Sequence, residues 1–542
     1  MKRIVALFVA LVVAGAVMAA ECVIVPRPVS YEPQKGKVAL TSKSVVYVAD
    51  KSLVRPAEIF CSYVAEEKGL QLSVVEGVAP SKGAIAISID KSLAEEAYNL
   101  VITQSGVTVK GGSAQGVFYG LQTLRQVVFH SKGNSKKVGV QCMTVKDKPH
   151  FGYRGGMLDV CRHFFTVEEV KKFIDILALH KLNRFHWHLT EDQGWRIEIE
   201  KYPNLISVGS KRDETVVSYV DENGNIKRSG YDGKPHGGYF TKDEVREIVR
   251  YATERYIEVI PEIDMPGHMV AALASYPELG CTGGPYKVRT RWGISKDVLC
   301  AGRESTFEFV EGVLSEIVEL FPSKYIHIGG DECPKDRWKA CPECQKRIAE
   351  EGLKDEHELQ SYFMHRVQNF LAKHNRSIIG WDEILKGGIS KEATIMSWRD
   401  IKYGVQAAKL GNKVIMTPRH FCYLDFSNTN NPKANNEPIC GGRYGKRPLN
   451  LRKAYSLDPC KGLTAEESKN ILGVQGNLWC EYVATFDHAQ RMILPRIAAI
   501  AEVGWNYGEK EYDDFARRVR LLRKLYDKCG YKYATYFFEG IE

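Results

Sequence analysis

From about residue 150 onward one rhythm recurs, a short apolar run followed by a longer amphipathic stretch, and it recurs eight times. The runs are residues 155–160, 183–188, 258–261, 325–329, 377–381, 394–398, 413–416 and 471–475. They are short, rich in β-branched or aromatic residues, and bounded by polar or glycine-bearing segments, as buried strands are. The stretches between them carry helix starts: Thr166 with Glu169, Thr241 with Glu244, and Thr464 with Glu467 all stand at capping-box spacing. Val167, Val170, Ile174 and Leu177 then recur on one helical face. Eight strand–helix repeats across residues 149–508 predict an α/β fold, a (β/α)8 TIM barrel. A doubly wound sheet is the rival, and no glycine fingerprint supports it.

The segments on either side read differently. Residues 21–148 predict a small α+β domain before the barrel, with strands at 45–48, 84–89, 100–102 and 107–109. The last two flank Ser105-Gly106, a hairpin signal. Helices follow Pro56 and Ser113, the second with Val117, Leu121 and Leu124 on one face. A polar stretch ending in Pro149 sets the boundary near residue 148. Residues 509–542 predict a C-terminal helical extension packed on the barrel, with Phe515, Val519, Leu522 and Tyr526 along one side of a helix over 512–526. Within the barrel, residues 206–240, with a turn signal at 221–224, predict a surface excursion. Residues 424–462, rich in Asn, Gly and Pro, predict a long loop.

A chain of 542 residues is too long for one small core. Its net charge of +9 is interspersed, with no basic block, so nucleic acid is not an expected partner. Residues 1–20 place Lys2 and Arg3 before an apolar run that ends in small residues at Ala19 and Ala20, the pattern of a secretory signal peptide. Export to a periplasm or the cell exterior is therefore expected, and the run is short for a membrane span. No other stretch is long and apolar enough to be one. Cys22 invites a lipid anchor, but Glu21 directly before it fits that reading poorly.

Fourteen cysteines in an exported chain could include disulfides, whose pairing the sequence leaves open. Cys341 and Cys344 form a CPEC pair. No second pair stands at zinc-site spacing, so a disulfide or free thiols is the expectation there and no metal is expected. Cys161, within an apolar segment, reads as core.

Barrel enzymes gather their chemistry at the C-terminal ends of the strands. The fourth run, YIHIGGDE at 325–332, carries Asp331 and Glu332 past two glycines. Adjacent carboxyls push their pKa values apart, so one site can hold an acid beside an anion. Arg154 precedes the first run, which ends at Asp159, with Arg162 and His163 after it. The second ends in HWHLTEDQGWR (186–196), and the third in IPEIDMPGH (260–268). The fifth and sixth end in Trp381 and Trp398, the seventh leads to Tyr423 and Asp425, and the eighth to Trp479 and Glu481. Each piece has a plain reading: His186 and His188 alternate as strand residues do and are too few for a metal, a tryptophan at a strand end is commonly core, and Arg154 could pair with Asp159. Together, however, indoles, carboxylates, an arginine and a tyrosine describe a sugar pocket. Two carboxyls at its centre suit glycoside hydrolysis.

Six ordered motifs, RGGMLDVCRH, KLNRFHWHLTEDQGWRIEI, VIPEIDMPGH, HIGGDE, IIGWDEIL and GNLWCEYV, resemble glycoside hydrolase family 20, the β-N-acetylhexosaminidases. The resemblance spans nearly all of the chain after residue 20, including the small domain before the barrel. It implies an exo-acting, retaining hydrolase of glycans or oligosaccharides with terminal β-linked GlcNAc, GalNAc being the second candidate. The mechanism implied is substrate-assisted, through an oxazolinium-like intermediate, with no metal or organic cofactor.

The same resemblance implies roles for single residues. Glu332 is the general acid and then the base, Asp331 orients the 2-acetamido group, and Tyr423 hydrogen-bonds its carbonyl. Trp381, Trp398 and Trp479 enclose the sugar, while Arg154, Glu481 and Asp425 grip its hydroxyl side. His268 with Asp264 supports the acid. Glu191 stands where the family usually has the first of two aspartates, so its contact is expected to differ. Some members carry a tryptophan in the loop after the YxD motif, and none occurs here between Asp425 and Leu472. The rivals are release of a disaccharide by a lacto-N-biosidase, and a non-catalytic sugar-binding protein on the same scaffold, which loss of the acid would mark.

Overall fold

The structure, a computed structural model, describes residues 21–80, 82–220, 226–429, 448–508 and 510–541. The expected signal peptide, the turn signal at 221–224 and the middle of the long loop (430–447) lie outside the described residues.

Eight parallel strands close into a barrel. In chain order they are Tyr153–Asp159, Arg184–His188, Glu258–Glu262, Tyr325–His327, Ser377–Trp381, Thr394–Ser397, Val414–Met416 and Ile471–Leu478. The eighth pairs with the first, which leaves no open sheet edge. The three predicted capping boxes all form, each with both reciprocal bonds. The face Val170, Ile174 and Leu177 of the first barrel helix is buried, because that side meets the strands. Inside the barrel a cluster distinct from the main core gathers Tyr153, Ile260, Ile379, Trp381, Met396 and Ile415, with Trp398 and Trp479 partly buried against it. The excursion after the second strand contains an antiparallel pair, Val216–Val220 with Ile226–Tyr231.

The domain before the barrel is an eight-stranded mixed sheet carrying two helices, Val54–Lys68 and Ala114–His130. The expected hairpin forms between Tyr98–Thr103 and Gly106–Gly111. Ser113 caps the second helix through Gly116 N, and Val117, Leu121 and Leu124 are buried beneath it. Two long strands, Ser30–Thr41 and Lys137–Asp147, were not legible as strands in the sequence. The first is mostly polar, contains Pro33 and Gly36, and buries only Val38 and Leu40 among its apolar residues. Beyond the barrel, helix Tyr512–Lys528 buries Phe515, Val519, Leu522 and Tyr526.

This domain packs against the barrel beside the start of its first strand. Asp147 accepts from Tyr98 Oη at 2.6 Å and Trp505 Nε1 at 2.9 Å, with Lys181 Nζ at 3.3 Å. Arg154 belongs to this end too. It is the second residue of the first strand, is fully buried, and donates to Glu96 Oε2 (2.6 Å), Tyr119 Oη (3.0 Å), Phe151 O (2.7 Å) and Lys181 O (3.1 Å). The expectation that Arg154 grips substrate is therefore wrong: a side chain at the start of a strand cannot serve the opposite mouth of the barrel, and every partner it has lies at the base.

The isolated CPEC pair also gains company. Cys281 and Cys300 come from the loop after the third strand and meet Cys341 and Cys344, all four thiols lying within 4.8 Å of one another. This meeting was hidden in the sequence because the two extra cysteines are 19 residues apart from each other rather than paired.

Candidate active site

The fourth strand stops at His327 because Gly329 and Gly330 turn left-handed, at φ 66° and 96°. A Cβ on Gly329 would lie 1.7 Å from Asp264 Oδ1, so only glycine lets the chain pass there. Gly330 N donates to the same Asp264 oxygen at 3.3 Å, and Gln360 holds Gly330 O at 2.8 Å. Glu332 itself takes a positive φ of 43°. The result is that the two carboxylates face one cavity at different depths. Asp331 has 12% of its side chain exposed and Glu332 34%, so the first sits deeper and the second reaches the opening.

The cavity, about 190 Å³, is lined by Asp331, Glu332, His268, Glu191, Trp398, Tyr423, Asp425, Trp479 and Glu481, all singled out in the sequence. Arg162, Arg419 and Phe426 complete the wall. Arg162 occupies the position expected of Arg154. It extends from just beyond the first strand, donates to Glu191 Oε2 (2.8 Å) and Asp159 Oδ2 (3.1 Å), and lies 5.0 Å over the Trp479 ring. Its RH dipeptide after the strand was visible in the sequence, but the choice between two arginines of one motif required the strand's direction. Tyr423 stacks on Trp398, with centroids 5.9 Å apart and planes 14° apart.

Trp381, expected to enclose the sugar, and Asp264, expected to support the acid, lie beneath the cavity. Trp381 is 1% exposed, stands 5.8 Å from the Trp479 ring, and donates to Glu262 Oε1 at 2.8 Å. Asp264 is buried behind the glycine turn and accepts from it. Glu262, to which the sequence reading gave no role, is a hub: His188 Nδ1 lies 2.6 Å away, His186 Nε2 2.9 Å and His327 Nδ1 3.1 Å. A buried carboxylate needs donors, and His188 Nδ1 with Trp381 Nε1 supplies them, while His327 Nδ1 accepts from Gly329 N at 3.1 Å.

His268 connects this floor to the carboxylates. Its Nδ1 lies 2.7 Å from Glu191 Oε1, and its Nε2 lies 3.7 Å from both Asp331 Oδ2 and Glu332 Oε2. Burial alone would favour a neutral imidazole, yet Glu191, with Asp331 and Asp264, raises its pKa well above the ordinary value. Burial also raises Asp331, to about 8, and His268 opposes this while Glu383 and Glu332 add to it. Glu332 is raised as well, by burial first and then by Glu383 and Glu191, with His268 and Arg162 opposing. Glu383 was quoted in a motif without a role. It accepts from Trp398 Nε1 at 2.9 Å and stands near Glu332 N at 3.5 Å. Asp331 Oδ1, Asp425 Oδ1 and His268 Nε2 are buried without a hydrogen-bond partner among the described residues. Polar atoms of that kind inside a cavity are positioned for a bound polar molecule.

Comparison with known proteins places this geometry in a family. Residues 151–507 match glycosyl hydrolase family 20, catalytic domain, and residues 21–148 match glycosyl hydrolase family 20, domain 2. The chain belongs to glycosyl hydrolase family 20. Among relatives in the family, the β-hexosaminidase of Porphyromonas gingivalis is 45% identical over 94% of this chain, which spans only 64% of that protein's length. The β-hexosaminidase of Akkermansia muciniphila is 36% identical, with 80% of this chain and 84% of that protein covered. Among solved family 20 structures, the exo β-N-acetylglucosaminidase of Vibrio harveyi in complex with N-acetylglucosamine superposes with a TM-score of 0.84 at 30% identity, covering 94% of this chain and 78% of that one. No helix among the described residues is long and apolar enough to cross a membrane.

Proposed function

We propose that the chain is an exo-acting, retaining β-N-acetylhexosaminidase that removes terminal non-reducing GlcNAc from glycans or chito-oligosaccharides by substrate-assisted catalysis. The observation that carries this reading is the adjacent pair Asp331 and Glu332 at different depths of one aromatic-walled cavity. In this reading the 2-acetamido oxygen of the substrate attacks the anomeric carbon and the glycosidic bond breaks. Glu332, at the opening, gives its proton to the leaving oxygen, and its raised pKa keeps that proton available. Asp331, deeper, acts as the anion that the charged His268 beside it favours against burial; it accepts from the acetamido N–H and balances the positive charge of the oxazolinium, and Tyr423 donates to the acetamido oxygen. Glu332 then takes a proton from water as that water opens the oxazolinium, which returns the acid form and retains configuration at the anomeric carbon.

Trp398 and Trp479 pack on the sugar faces, with Trp381 supporting Trp479 from below. Arg162, Asp425 and Glu481 bind the hydroxyls far from the leaving group, and their closure of that end supports exo action over release of a disaccharide. The residues at 1–20 support export. The relatives' names, β-hexosaminidase and exo β-N-acetylglucosaminidase, agree with this substrate class.

The test sets p-nitrophenyl β-GlcNAc beside p-nitrophenyl β-glucoside, with a thiazoline analogue of GlcNAc as inhibitor. Cleavage of the first alone, blocked by the thiazoline, is expected. Cleavage of both without inhibition would assign the nucleophile to the protein and remove the roles of Asp331 and Tyr423.

A further inference from the structure

Four cysteines from two loops converge beside the barrel mouth. Cys281 and Cys300 lie towards the two ends of an irregular segment after the third strand. Cys341 precedes, and Cys344 lies in, the first turn of helix Pro342–Glu350, downstream of the catalytic pair. The sulfurs are 3.8 Å apart for Cys281 and Cys344, 3.8 Å for Cys300 and Cys341, and 3.6 Å for Cys300 and Cys344. Cys300 is thus shared between two partners, and so is Cys344, whereas a disulfide gives each sulfur one partner only. Thiolates bind zinc at about 2.3 Å, which sets the edge of a regular tetrahedron of sulfurs at about 3.8 Å. The separations are those of a four-thiolate cage.

The surroundings are built to hold it. Cys300, Cys341 and Cys344 are buried and Cys281 is partly exposed, which leaves one side open for entry. Cys300 N donates to Leu279 O at 2.8 Å, so the Cys281 and Cys300 ends of the loop are tied together. Trp338 Nε1 donates to Leu299 O at 2.9 Å, and Arg337 pairs with Asp297 at 2.7 Å, tying the second loop to the first. A Cβ on Gly302 would lie 2.4 Å from Cys344 N, so glycine there lets the two backbones touch. All-sulfur donors select soft or borderline metals, and a closed set of four suits structural zinc.

We propose that Cys281, Cys300, Cys341 and Cys344 bind one zinc ion that fastens the loop bearing His268 to the loop bearing Asp331 and Glu332. The four thiols release their protons to solvent as the ion binds, with no redox change. The link to the active site is short: Leu299, next to Cys300, donates through its N–H to Pro266 O at 2.9 Å, two residues before His268.

The experiment measures metal on the full chain, purified without chelator, reduced, incubated with equimolar zinc and desalted, by elemental mass spectrometry. One zinc per chain is expected, and the double variant Cys341→Ser/Cys344→Ser should hold none while Cys142→Ser, in the first domain, keeps it. Because the double variant could fail to fold, the unaltered chain is also titrated with cobalt(II) alone. Intense visible bands and thiolate-to-metal charge transfer, displaced by one equivalent of zinc, are the expected signature. No zinc and no such bands after reduction would overturn the proposal. So would zinc retained by the folded double variant, or an untreated chain lighter by four hydrogens with those cysteines joined as two disulfides that reduction and zinc do not convert.

Discussion

Nδ1 of His268 lies 2.7 Å from Oε1 of Glu191, while the other oxygen of Glu191 holds Arg162 at 2.8 Å. One carboxylate therefore joins the arginine of the pocket wall to the imidazole that touches both Asp331 and Glu332. Glu191 raises the pKa of His268, so Glu191→Gln should lower it. A hydrogen bond to a charged group is worth about 1.5–3 kcal/mol, so kcat/KM should fall about 10- to 100-fold. An NMR titration of His268 beside steady-state kinetics checks both; an unmoved His268 pKa would detach Glu191 from this role. Glu191→Asp loses about 1.5 Å of reach and should keep only one of the two contacts.

Glu332→Gln should reduce turnover of natural disaccharides by about 10²–10⁴-fold, the usual worth of general acid–base catalysis. The loss should be smaller on nitrophenyl substrates, whose leaving group needs little protonation. Equal losses on both would argue against Glu332 as the acid.

Activity should fall as pH rises through the raised pKa of Glu332, since the acid form donates the proton. Glu383 is one of the charges that raise it, so Glu383→Gln should lower that pKa and move the alkaline limb of kcat/KM to lower pH. A limb that stays in place, or moves up, contradicts the assignment.

Arg162 and Arg154 should differ in their effect on KM. Arg162→Ala should raise KM, because it removes a pocket wall, and should lower stability as well, because it leaves the buried Asp159 and Glu191 without their cation. Arg154→Ala should leave KM near its original value and lower stability by about 3 kcal/mol, the scale of breaking a buried ion pair. Thermal melts beside kinetics on both variants decide it.

Gly329→Ala should be damaging twice over. A left-handed φ costs a non-glycine residue about 1–2 kcal/mol, and the added methyl would overlap Asp264. A lower melting temperature together with a large loss of kcat is expected; an unchanged kcat would mean that this turn does not aim the carboxylates.

The barrel was legible because its strands are buried on both sides and bounded by helix caps, so pattern and fold coincide at Thr166, Thr241 and Thr464. The pocket was legible where strand ends carry residues too polar for a core, as at Asp331, Tyr423 and Glu481. Arg154 was misplaced because the motif RGGMLDVCRH holds an arginine near each end of a seven-residue strand, and the resemblance was carried over to the wrong one. Glu262 was passed over because a carboxylate inside a barrel makes sense only once its donors, His188 and Trp381, are seen. The strand over Ser30–Thr41 hid because half of it faces water and its middle is bulged.

The side chains that meet Arg154 carry a consequence for anyone who would move this catalytic unit elsewhere. Glu96 and Tyr119 come from the first domain, so severing the chain near residue 148 would strip the barrel's base of partners and admit water beneath the first strand. The barrel and its floor form a single heritable unit, and a chimera would have to carry both.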